Sequence, residues 1–407
     1  MSPPSVAVTG LGLATPAGLG LEASWQGVLA GTSRASTDPA LAGLEVDMSC
    51  RVEGFDAAEL LGRKAARRLD RFVQLALWSA REAVTDAGLD PQAWDAARVG
   101  VVMGCGMGGL HTWEEQYNRM LEQGAQRVSP LLIPMLVPNM VAGQIAIDLG
   151  CNGPNLVTAT ACASGATATG VARDLLRSGA CDIVLTGGTE SGLTPLAVTG
   201  FAQMGALSTR TDDPGAASRP FDVDRDGFVA AEAAAVLVLE REEDARARGA
   251  RRRALLAGYG ASADAHHITA PDPDGVGAEL AMRAALEDAG LMPGEVDHVN
   301  AHGTSTPLND ATEARTLHRL LRDDATVTST KGVTGHALGA AGAIEAAFSV
   351  LTVEHGLVPP TANLTTQDPE VTLDVVTGRP RTQDIDAAMS DSFGFGGQNA
   401  VLVFTRA

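Results

Sequence analysis

The sequence is poor in several residue types, and lysine and tyrosine, with two residues each, are the scarcest. Only two of its 407 residues are lysine, Lys64 and Lys331, so arginine supplies nearly all of the positive charge. The net charge of −19 argues against general nucleic-acid binding, because a phosphate backbone needs a broad basic surface. Aromatic residues make up 4% of the chain. No apolar run approaches the roughly 20 residues that a membrane-spanning helix requires, so no membrane association is predicted.

Cysteine is scarce as well. The five cysteines are Cys50, Cys105, Cys151, Cys162 and Cys181. They are too few and too scattered for a disulfide framework, and they lack the paired spacing of a metal site. We therefore expect free thiols in a reducing cytoplasm. The adjacent His266 and His267 do not complete a metal site either, because consecutive side chains rarely face the same way. The sequence predicts neither a metal nor a cofactor.

Short apolar runs that alternate with helical patterns are abundant. Hydrophobic residues make up 45% of the sequence, and the continuous runs are typical of strands buried on both faces. The predicted strands are 5–10, 98–104, 182–188, 234–240, 296–303 and 400–404, and the predicted helices are 64–88, 307–322 and 339–355. This alternation predicts a layered α/β fold. The charged run 240–253 divides it into an N-terminal half, 1–250, and a C-terminal half, 251–407, each with its own sheet.

Cys162 lies where a β-type segment passes into a helical segment of small residues, within 156–176. A free cysteine is more often a buried, inert thiol. A thiol at a helix N-terminus, however, faces unpaired N–H groups and the positive end of the helix dipole, which stabilise the reactive thiolate. Cys162 is therefore the candidate nucleophile.

Two histidines and a lysine are the candidate partners of this thiol. His302 ends a predicted strand in VNAHGTSTPLND, and His336 follows Lys331 by five residues in TKGVTGHALGAAG. Each histidine alone is more often structural, but strand ends in α/β folds project side chains into a ligand crevice. A cysteine can accept an acyl group from a thioester. Two neutral imidazoles can stabilise the enolate that forms when a malonyl thioester loses CO2, and a lysine can hold their protonation states.

The segment SDSFGFGGQN, 390–399, is rich in glycine and precedes the last predicted strand. Gly394, Gly396 and Gly397 permit backbone conformations that other residues avoid. The segment lacks the ending of a phosphate loop and the context of a dinucleotide fingerprint. It is either a plain tight turn or a loop that presents a backbone N–H to an oxyanion, with Phe393 or Phe395 as an apolar gate.

Together these segments resemble the chain-elongating (synthase II) β-ketoacyl-acyl carrier protein synthases and the ketosynthases of dissociated, type II polyketide systems. The resemblance extends from residue 8 to residue 397. The matching stretches are VTGLGLATPAG, LVPNMVAGQIAIDLGCNGPN, TACASG, GALSTRTDDPGAASRPFDVDRDGF, NAHGTSTPLND, TKGVTGHALGAAG and SFGFGG.

The resemblance implies an acyltransferase with a thiolase-type fold, in which two similar halves form a five-layer α-β-α-β-α sandwich. It implies that Cys162 accepts the acyl chain, that His302 and His336 drive decarboxylation and condensation, and that Lys331 supports them. The other residues that it singles out are Glu345 and Phe393 as supporting residues, Phe395 with Cys162 as oxyanion hole and gate, and Met107 and Phe201 in the acyl pocket.

The resemblance also implies partners. Its members act on acyl and malonyl groups carried by an acidic acyl carrier protein, and they are homodimers or heterodimers with a chain-length-factor-like subunit. The predicted docking residues are Arg63, Lys64, Arg67, Arg68 and Arg71. Helical spacing places the last four on one face, where they would steer an acidic partner, although an ordinary solvated face has the same pattern.

Three alternatives from the same superfamily fit the sequence less well. A thiolase uses a second cysteine near the C-terminus, and no cysteine follows Cys181. An initiating synthase has Asn in place of His336, and a chain-length factor typically lacks the nucleophile that Cys162 provides. Departures at 230–235, AAEAAA, and at Gln398 favour a specialised polyketide or fatty-acid elongation enzyme over the housekeeping fatty-acid synthase II.

Overall fold

A computed structural model describes residues 4–407, so the first three residues of the predicted N-terminal half lie outside it. The strands are β1 Val6–Thr15, β2 Gly18–Leu19, β3 Ser36–Thr37, β4 Met48–Ser49, β5 Val99–Gly104, β6 Asn155–Thr158, β7 Ile183–Glu190, β8 Ala233–Arg241, β9 Ala254–Ala263, β10 His298–Asn300, β11 Thr326–Thr328, β12 Leu357–Val358, β13 Asp374–Val375, β14 Arg381–Thr382, β15 Ala387–Gly394 and β16 Gln398–Thr405. The helices are α1 Leu21–Leu29, α2 Ala57–Leu60, α3 Arg63–Ala66, α4 Arg71–Asp86, α5 Leu110–Gln123, α6 Leu132–Leu136, α7 Met140–Leu149, α8 Ser164–Arg177, α9 Pro195–Gln203, α10 Glu242–Ala247, α11 Val276–Ala289, α12 Pro307–Leu320, α13 Lys331–Thr334 and α14 Ala341–His355.

The strand order is the same in both halves of the chain. In the first half the order is β1-β8-β7-β5-β6, and in the second half it is β9-β16-β15-β10-β11, with β13 added at the edge. The strand directions also match, because β5 and β10 each pair in parallel with both neighbours and the other equivalent pairs are antiparallel. The added β13 pairs in parallel with β11. A short antiparallel ladder between β1 and β9 joins the two sets into one 12-stranded sheet instead of two separate ones.

Three hydrophobic cores separate five layers. One core lies between α4, α7 and the outer face of the first strand set, and another lies between α11, α12 and the outer face of the second set. The third and largest core surrounds α8 and α14, which pack against each other and against both strand sets. The architecture is therefore the predicted α-β-α-β-α sandwich of two similar halves. The predicted boundary at residue 250 falls in the turn between α10 and β9, and it stays a prediction.

The two central helices begin in the same unusual way. Ala161 and Leu338 have positive φ angles of 48° and 47°, which non-glycine residues rarely adopt. Each opens a three-residue 3-10 turn that runs directly into a helix, α8 or α14. Cys162 and Gly339 are the second residues of these matching turns. The repeated topology therefore extends to the point where the candidate nucleophile lies.

The predicted helix at 64–88 is not continuous. The short α3 ends at Ala66, and Asp70 adopts an extended conformation as the N-cap of α4, where its carboxylate accepts the N–H of Phe72. An aspartate in this position satisfies an otherwise unpaired N–H of the first helical turn, which favours a new helix start. The other predicted helices correspond to α12 and α14. Between residues 4 and 407 no helix is both long and apolar enough to cross a membrane.

Candidate active site

Cys162 lies in a braced turn between β6 and α8, as the sequence predicts. The hydroxyl of Ser164 accepts the N–H of Thr160 at 2.9 Å and donates to the carbonyl of Ala161 at 2.7 Å, which holds the strained backbone closed. Cys162 is 5% exposed, and it lines the wall of a cavity of about 370 Å³. The thiol is therefore buried but reachable from one side.

His302 lies just beyond the end of β10. The carboxylate of Glu313 on α12 accepts the N–H of His302 at 2.7 Å and the N–H of Gly303 at 2.8 Å. This two-pronged contact fixes the backbone at the histidine. Glu313 was not among the predicted site residues, because its role depends on a helix that folds back toward the strand end.

Lys331 and Glu345 form a buried ion pair behind the histidine. The Lys331 nitrogen also donates to the carbonyl oxygen of His302 at 2.6 Å and lies 3.5 Å from its Nδ1. Because a lysine ammonium group donates hydrogen bonds and has no lone pair with which to accept one, Nδ1 is the acceptor in this contact. The ring proton of neutral His302 therefore belongs on Nε2.

His336, which lies two residues before the turn at Leu338, completes the cluster. Its backbone N–H donates to the carbonyl oxygen of Val229 at 2.8 Å. Its ring meets the His302 ring edge-on, with the centroids 5.4 Å apart. The thiol and one nitrogen of each histidine lie within 4.8 Å of one another. A thiol and two imidazoles are donors that zinc accepts, but the positive charge of Lys331 beside His302 opposes a cation there.

Burial dominates the ionisation of these groups. It raises the pKa of Cys162 to about 11, against the lowering effects of Lys331 and of the Phe395 N–H that donates to the sulfur. The expectation of a stabilised thiolate is therefore wrong for the free protein, because desolvation outweighs the favourable contacts. Burial also lowers the pKa of His302 and of His336 far below the usual range, and the charge of Lys331 adds to both effects.

The supporting carboxyl group shows the opposite shift. Burial raises the pKa of Glu345 to about 7, although the ion pair with Lys331 works against this shift. The cluster thus contains two neutral imidazoles and a protonated thiol at neutral pH. Neutral imidazoles are N–H donors, which suits them to stabilise an oxyanion.

The glycine-rich segment forms the hairpin loop between β15 and β16. Gly396 and Gly397 have positive φ angles of 84° and 70°. A Cβ atom at Gly394 would lie 2.5 Å from the carbonyl oxygen of Thr160 and 3.2 Å from the nitrogen of Cys162, so only glycine fits there. The N–H of Phe395, the next residue of the loop, donates to the Cys162 sulfur. The loop between β15 and β16 therefore packs directly against the turn that carries Cys162.

The predicted gate residues line the cavity, whereas the predicted pocket residues do not. Phe393 and Phe395 line it, and the Phe393 ring lies 5.7 Å from the ring of His302. Phe201 lies behind Phe228, a cavity residue that contacts His336. The ring centroids of Phe201 and Phe228 are 5.7 Å apart. Met107 packs in the central core. The pocket role of Phe201 and Met107 stays a prediction.

The predicted docking residues separate into two groups. Arg63, Lys64, Arg67 and Arg68 are exposed, and among the described residues none of them forms an ion pair. Arg71 points inward, where it pairs with buried Glu232 at 2.8 Å and covers the Phe55 ring at 4.7 Å.

The prediction of one helical face that includes Arg71 is therefore wrong, because the chain breaks at Asp70 and turns the next residue toward the core. Arg63, Lys64, Arg67 and Arg68 are the four exposed basic residues, and their docking role stays a prediction.

A buried thiol beside two neutral imidazoles at the wall of a cavity is the arrangement that a cysteine-dependent acyltransferase needs. The chain belongs to the β-ketoacyl synthase family: the family's N-terminal domain matches residues 4–245 and its C-terminal domain matches residues 253–365. It is 47% identical to a 3-oxoacyl-[acyl-carrier-protein] synthase 2 from Synechocystis sp., over 98% of both chains.

Solved structures give the same result. The chain superposes on the ishigamide ketosynthase/chain length factor with a TM-score of 0.94 and 34% identity over 100% of both chains. It also superposes, with a TM-score of 0.91 and 32% identity over 100% of both chains, on a structure described as a type II polyketide synthase acyl-carrier protein in complex with its ketosynthase bound to the hexaketide. Both comparisons cover the two halves of the fold.

Proposed function

We propose that the protein is an elongating β-ketoacyl synthase that joins a malonyl unit to an acyl chain held on Cys162. The observation that carries the proposal is the cluster itself, in which one thiol and two imidazole nitrogens lie within 4.8 Å of one another beside the Phe395 N–H. The established family membership supports the same reaction.

The first step transfers the acyl chain to the enzyme. The sulfur of Cys162 attacks the carbonyl carbon of an acyl thioester while its proton passes through an imidazole to the departing carrier sulfur. The proton leaves as the sulfur–carbon bond forms, because burial disfavours a free thiolate. The N–H groups of Cys162 and Phe395 stabilise the oxyanion of the tetrahedral intermediate.

The second step releases CO2 from the malonyl thioester. The bond between the carboxylate and the methylene carbon breaks, and its electron pair becomes the enolate of the thioester. His302 and His336 donate N–H bonds to the enolate oxygen, which is why their low pKa values serve the reaction. Lys331 keeps the Nε2 proton of His302 directed at the cavity.

The third step forms the carbon–carbon bond. The enolate carbon attacks the thioester carbonyl on Cys162, the carbon–sulfur bond breaks, and the electron pair returns to the sulfur. One proton from solvent then restores the thiol. The product is a β-ketoacyl thioester two carbons longer than the acyl chain.

The acyl chain belongs to one of two pathways. The 47% identity with a 3-oxoacyl-[acyl-carrier-protein] synthase 2 favours fatty-acid elongation. The similarity to type II polyketide ketosynthases, together with the departures at 230–235 and Gln398, favours a specialised polyketide or fatty-acid chain. Mass spectrometry of the group trapped on Cys162 separates them, because a polyketide chain retains keto oxygens that a saturated fatty chain lacks.

An acyl carrier protein is the proposed carrier of both substrates, and a second subunit is the proposed assembly partner. The carrier would dock on the four exposed basic residues. The exposed apolar side chains of α5, which include Trp113, Tyr117 and Leu121, suit an interface with another subunit. The mass of the purified complex, with and without a co-expressed chain-length-factor-like subunit, distinguishes a homodimer from a heterodimer.

We expect the enzyme to act in the cytoplasm. All five cysteines are unpaired and buried, which accords with a reducing compartment. Malonyl and acyl carrier substrates would have to be supplied in the same place.

The test of the proposed function is a two-stage assay. Cys162 is first loaded with an acyl thioester, malonyl-carrier protein is then added, and CO2 and the β-ketoacyl product are measured. The wild-type protein should give both, and Cys162→Ala should give no β-ketoacyl product. Equal behaviour of the two proteins would refute the proposal.

A further inference from the structure

Glu190 is a buried carboxylate that the proposed mechanism leaves unused. It is the last residue of β7 and is fully buried. Its oxygens accept the backbone N–H groups of Gly106 at 2.8 Å, Met107 at 3.2 Å and Gly339 at 3.3 Å. Within residues 4–407 no lysine, arginine or histidine forms an ion pair with it. Backbone donors therefore take the place of a cation.

The surrounding backbone is shaped for this carboxylate. A Cβ atom at Gly106 would lie 2.8 Å from the Glu190 Oε2 atom, and one at Gly339 would lie 2.6 Å from the same oxygen. Side chains at either position would collide with the carboxylate. The Cys105 thiol also lies 3.6 Å from the other oxygen, Oε1.

These contacts join parts of the two halves that meet at the active site. Gly339 follows His336 by three residues, in the turn that opens α14. Gly106 and Met107 follow β5 in the first half of the chain. Glu190 is thus a direct link between the His336 segment and the first-half loop at Met107.

We propose that Glu190 is a positioning residue that fastens the turn after His336 to the loop at Gly106–Met107 and thereby keeps His336 within reach of Cys162. The inference rests on the proposed function for its catalytic consequence. The anchoring itself follows from the hydrogen bonds. Because buried N–H groups that lose their acceptor destabilise the local structure, loss of the carboxylate should displace the turn.

The same carboxylate acts on the thiol through its charge. The negative charges of Glu190 and Glu345 add to burial in raising the pKa of Cys162, while the positive charge of Lys331 lowers it. Burial raises the pKa of Glu190 itself to about 7, against the three N–H donors and the Cys105 thiol. Above that pH the group is charged and should oppose thiolate formation at Cys162.

The test uses Glu190→Gln, Glu190→Ala and a matched control, Glu240→Gln. Glu240 is also buried, but it lies at the far end of β8, where it pairs with Arg248. The first measurement is the rate of iodoacetamide alkylation of Cys162 from pH 7 to 11, read on its own peptide by mass spectrometry. The second is kcat and KM for condensation.

In Glu190→Gln the alkylation profile should move to lower pH by about 0.5 unit, as expected when a nearby like charge is removed. Its kcat should fall about tenfold, and that of Glu190→Ala about a hundredfold, with KM changed less than about threefold. The partial rescue by glutamine reflects its one remaining acceptor oxygen. Glu240→Gln should keep the wild-type profile and kcat.

Two results would overturn the inference. One is an alkylation profile in Glu190→Gln equal to that of wild type and Glu240→Gln. The other is a kcat in Glu190→Ala equal to wild type. Alkylation does not depend on condensation, so a shifted profile in a protein without condensing activity would reject the proposed function and leave the charge effect of Glu190 standing. If Glu190→Ala fails to fold, Glu190→Gln decides alone.

Discussion

Cys162 is held among groups that act on its ionisation in opposite directions. Lys331 and the Phe395 N–H favour the thiolate, whereas burial and the carboxylates of Glu190 and Glu345 disfavour it. The net result is a thiol that is protonated at rest, which protects it from unselective alkylation and oxidation. The proposed nucleophilic role therefore requires that a nearby imidazole take the thiol proton as the acyl thioester is attacked.

Glu313 offers a test of how strictly His302 must be held. In Glu313→Gln one of the two backbone N–H groups at His302 and Gly303 loses its acceptor and faces an amide N–H instead. An unsatisfied buried donor costs about 1–3 kcal/mol. If the displaced His302 loses a comparable amount of transition-state stabilisation, kcat should fall by about 10- to 100-fold. Steady-state condensation kinetics check this, with the exposed Glu370→Gln as control. An unchanged kcat would show that the strand alone positions His302.

Asp391 should make the stability of the protein depend on pH. Burial and the carboxylates of Glu313 and Glu345 raise its pKa far above the usual range, although Lys331 acts against them. Neither of its oxygens has a hydrogen-bond partner among the described residues. The folded state therefore keeps a proton that the unfolded state loses above about pH 4, and stability falls as the pH rises.

Asp391→Asn removes this titration. The variant should be more stable than wild type at pH 8, and the difference should widen with rising pH by up to about 1.4 kcal/mol per unit. Denaturant unfolding between pH 5 and 9 measures it. A difference that stays constant or narrows as the pH rises would contradict the assignment.

The individual site residues were predictable because each lies in a distinctive local sequence. Cys162, His302, His336 and Lys331 do meet in space, as their turns suggested. Glu313 escaped prediction because its backbone partners, only 10 and 11 residues earlier, come within reach when α12 folds back toward the end of β10. Glu190 escaped it because its partners are backbone N–H groups distant in sequence. The pKa of Cys162 escaped it because burial depends on the whole fold.

At the scale of elements, the six predicted strands correspond to strands of the sheet, and the helices predicted at 307–322 and 339–355 correspond to α12 and α14. The failure at Asp70 has a local cause. Periodicity alone cannot distinguish a helix that continues from one that ends and restarts in a similar direction, and the capping aspartate decided the matter. Because the new helix begins at Arg71 and does not continue α3, the Arg71 side chain points toward the core.

The hairpin loop between β15 and β16 supplies an element-scale prediction. Gly394→Ala would force a methyl group against the Thr160 carbonyl and the Cys162 nitrogen, so the loop must move away from the nucleophile turn. We expect kcat to fall by at least about tenfold because the N–H of Phe395, a proposed oxyanion donor, would move away from Cys162. Gly200→Ala, whose new Cβ atom would meet no atom within 4 Å, is the matched control. Equal kcat values in the two variants would mean that the close approach is dispensable.

At the scale of the whole molecule, charge is distributed unevenly. The net charge is −19, yet the four exposed basic residues lie close together in sequence and form no ion pairs within the described chain. An acidic carrier would be repelled by most of the surface and attracted here. Such attraction acts mainly on association and weakens with salt.

Reversing two of these charges should separate docking from chemistry. Lys64→Glu combined with Arg67→Glu should raise KM for malonyl-carrier protein about tenfold and reduce its dependence on salt. The rate with a small acyl thioester that lacks a carrier should stay the same. Arg379→Glu, an exposed arginine elsewhere, serves as control. An unchanged KM in the double variant would place the carrier on another surface.

The matching turns at Ala161 and Leu338 have Cys162 and Gly339 as their second residues, and the chain uses the two backbone N–H groups differently. The N–H of Cys162 is proposed to receive an oxygen of the substrate. The N–H of Gly339 already donates to an oxygen of Glu190. The protein thus holds one of its own carboxylates, that of Glu190, at one of the two matching turns. Because an internal carboxylate occupies the second turn, only the first turn remains available to an oxygen of the substrate.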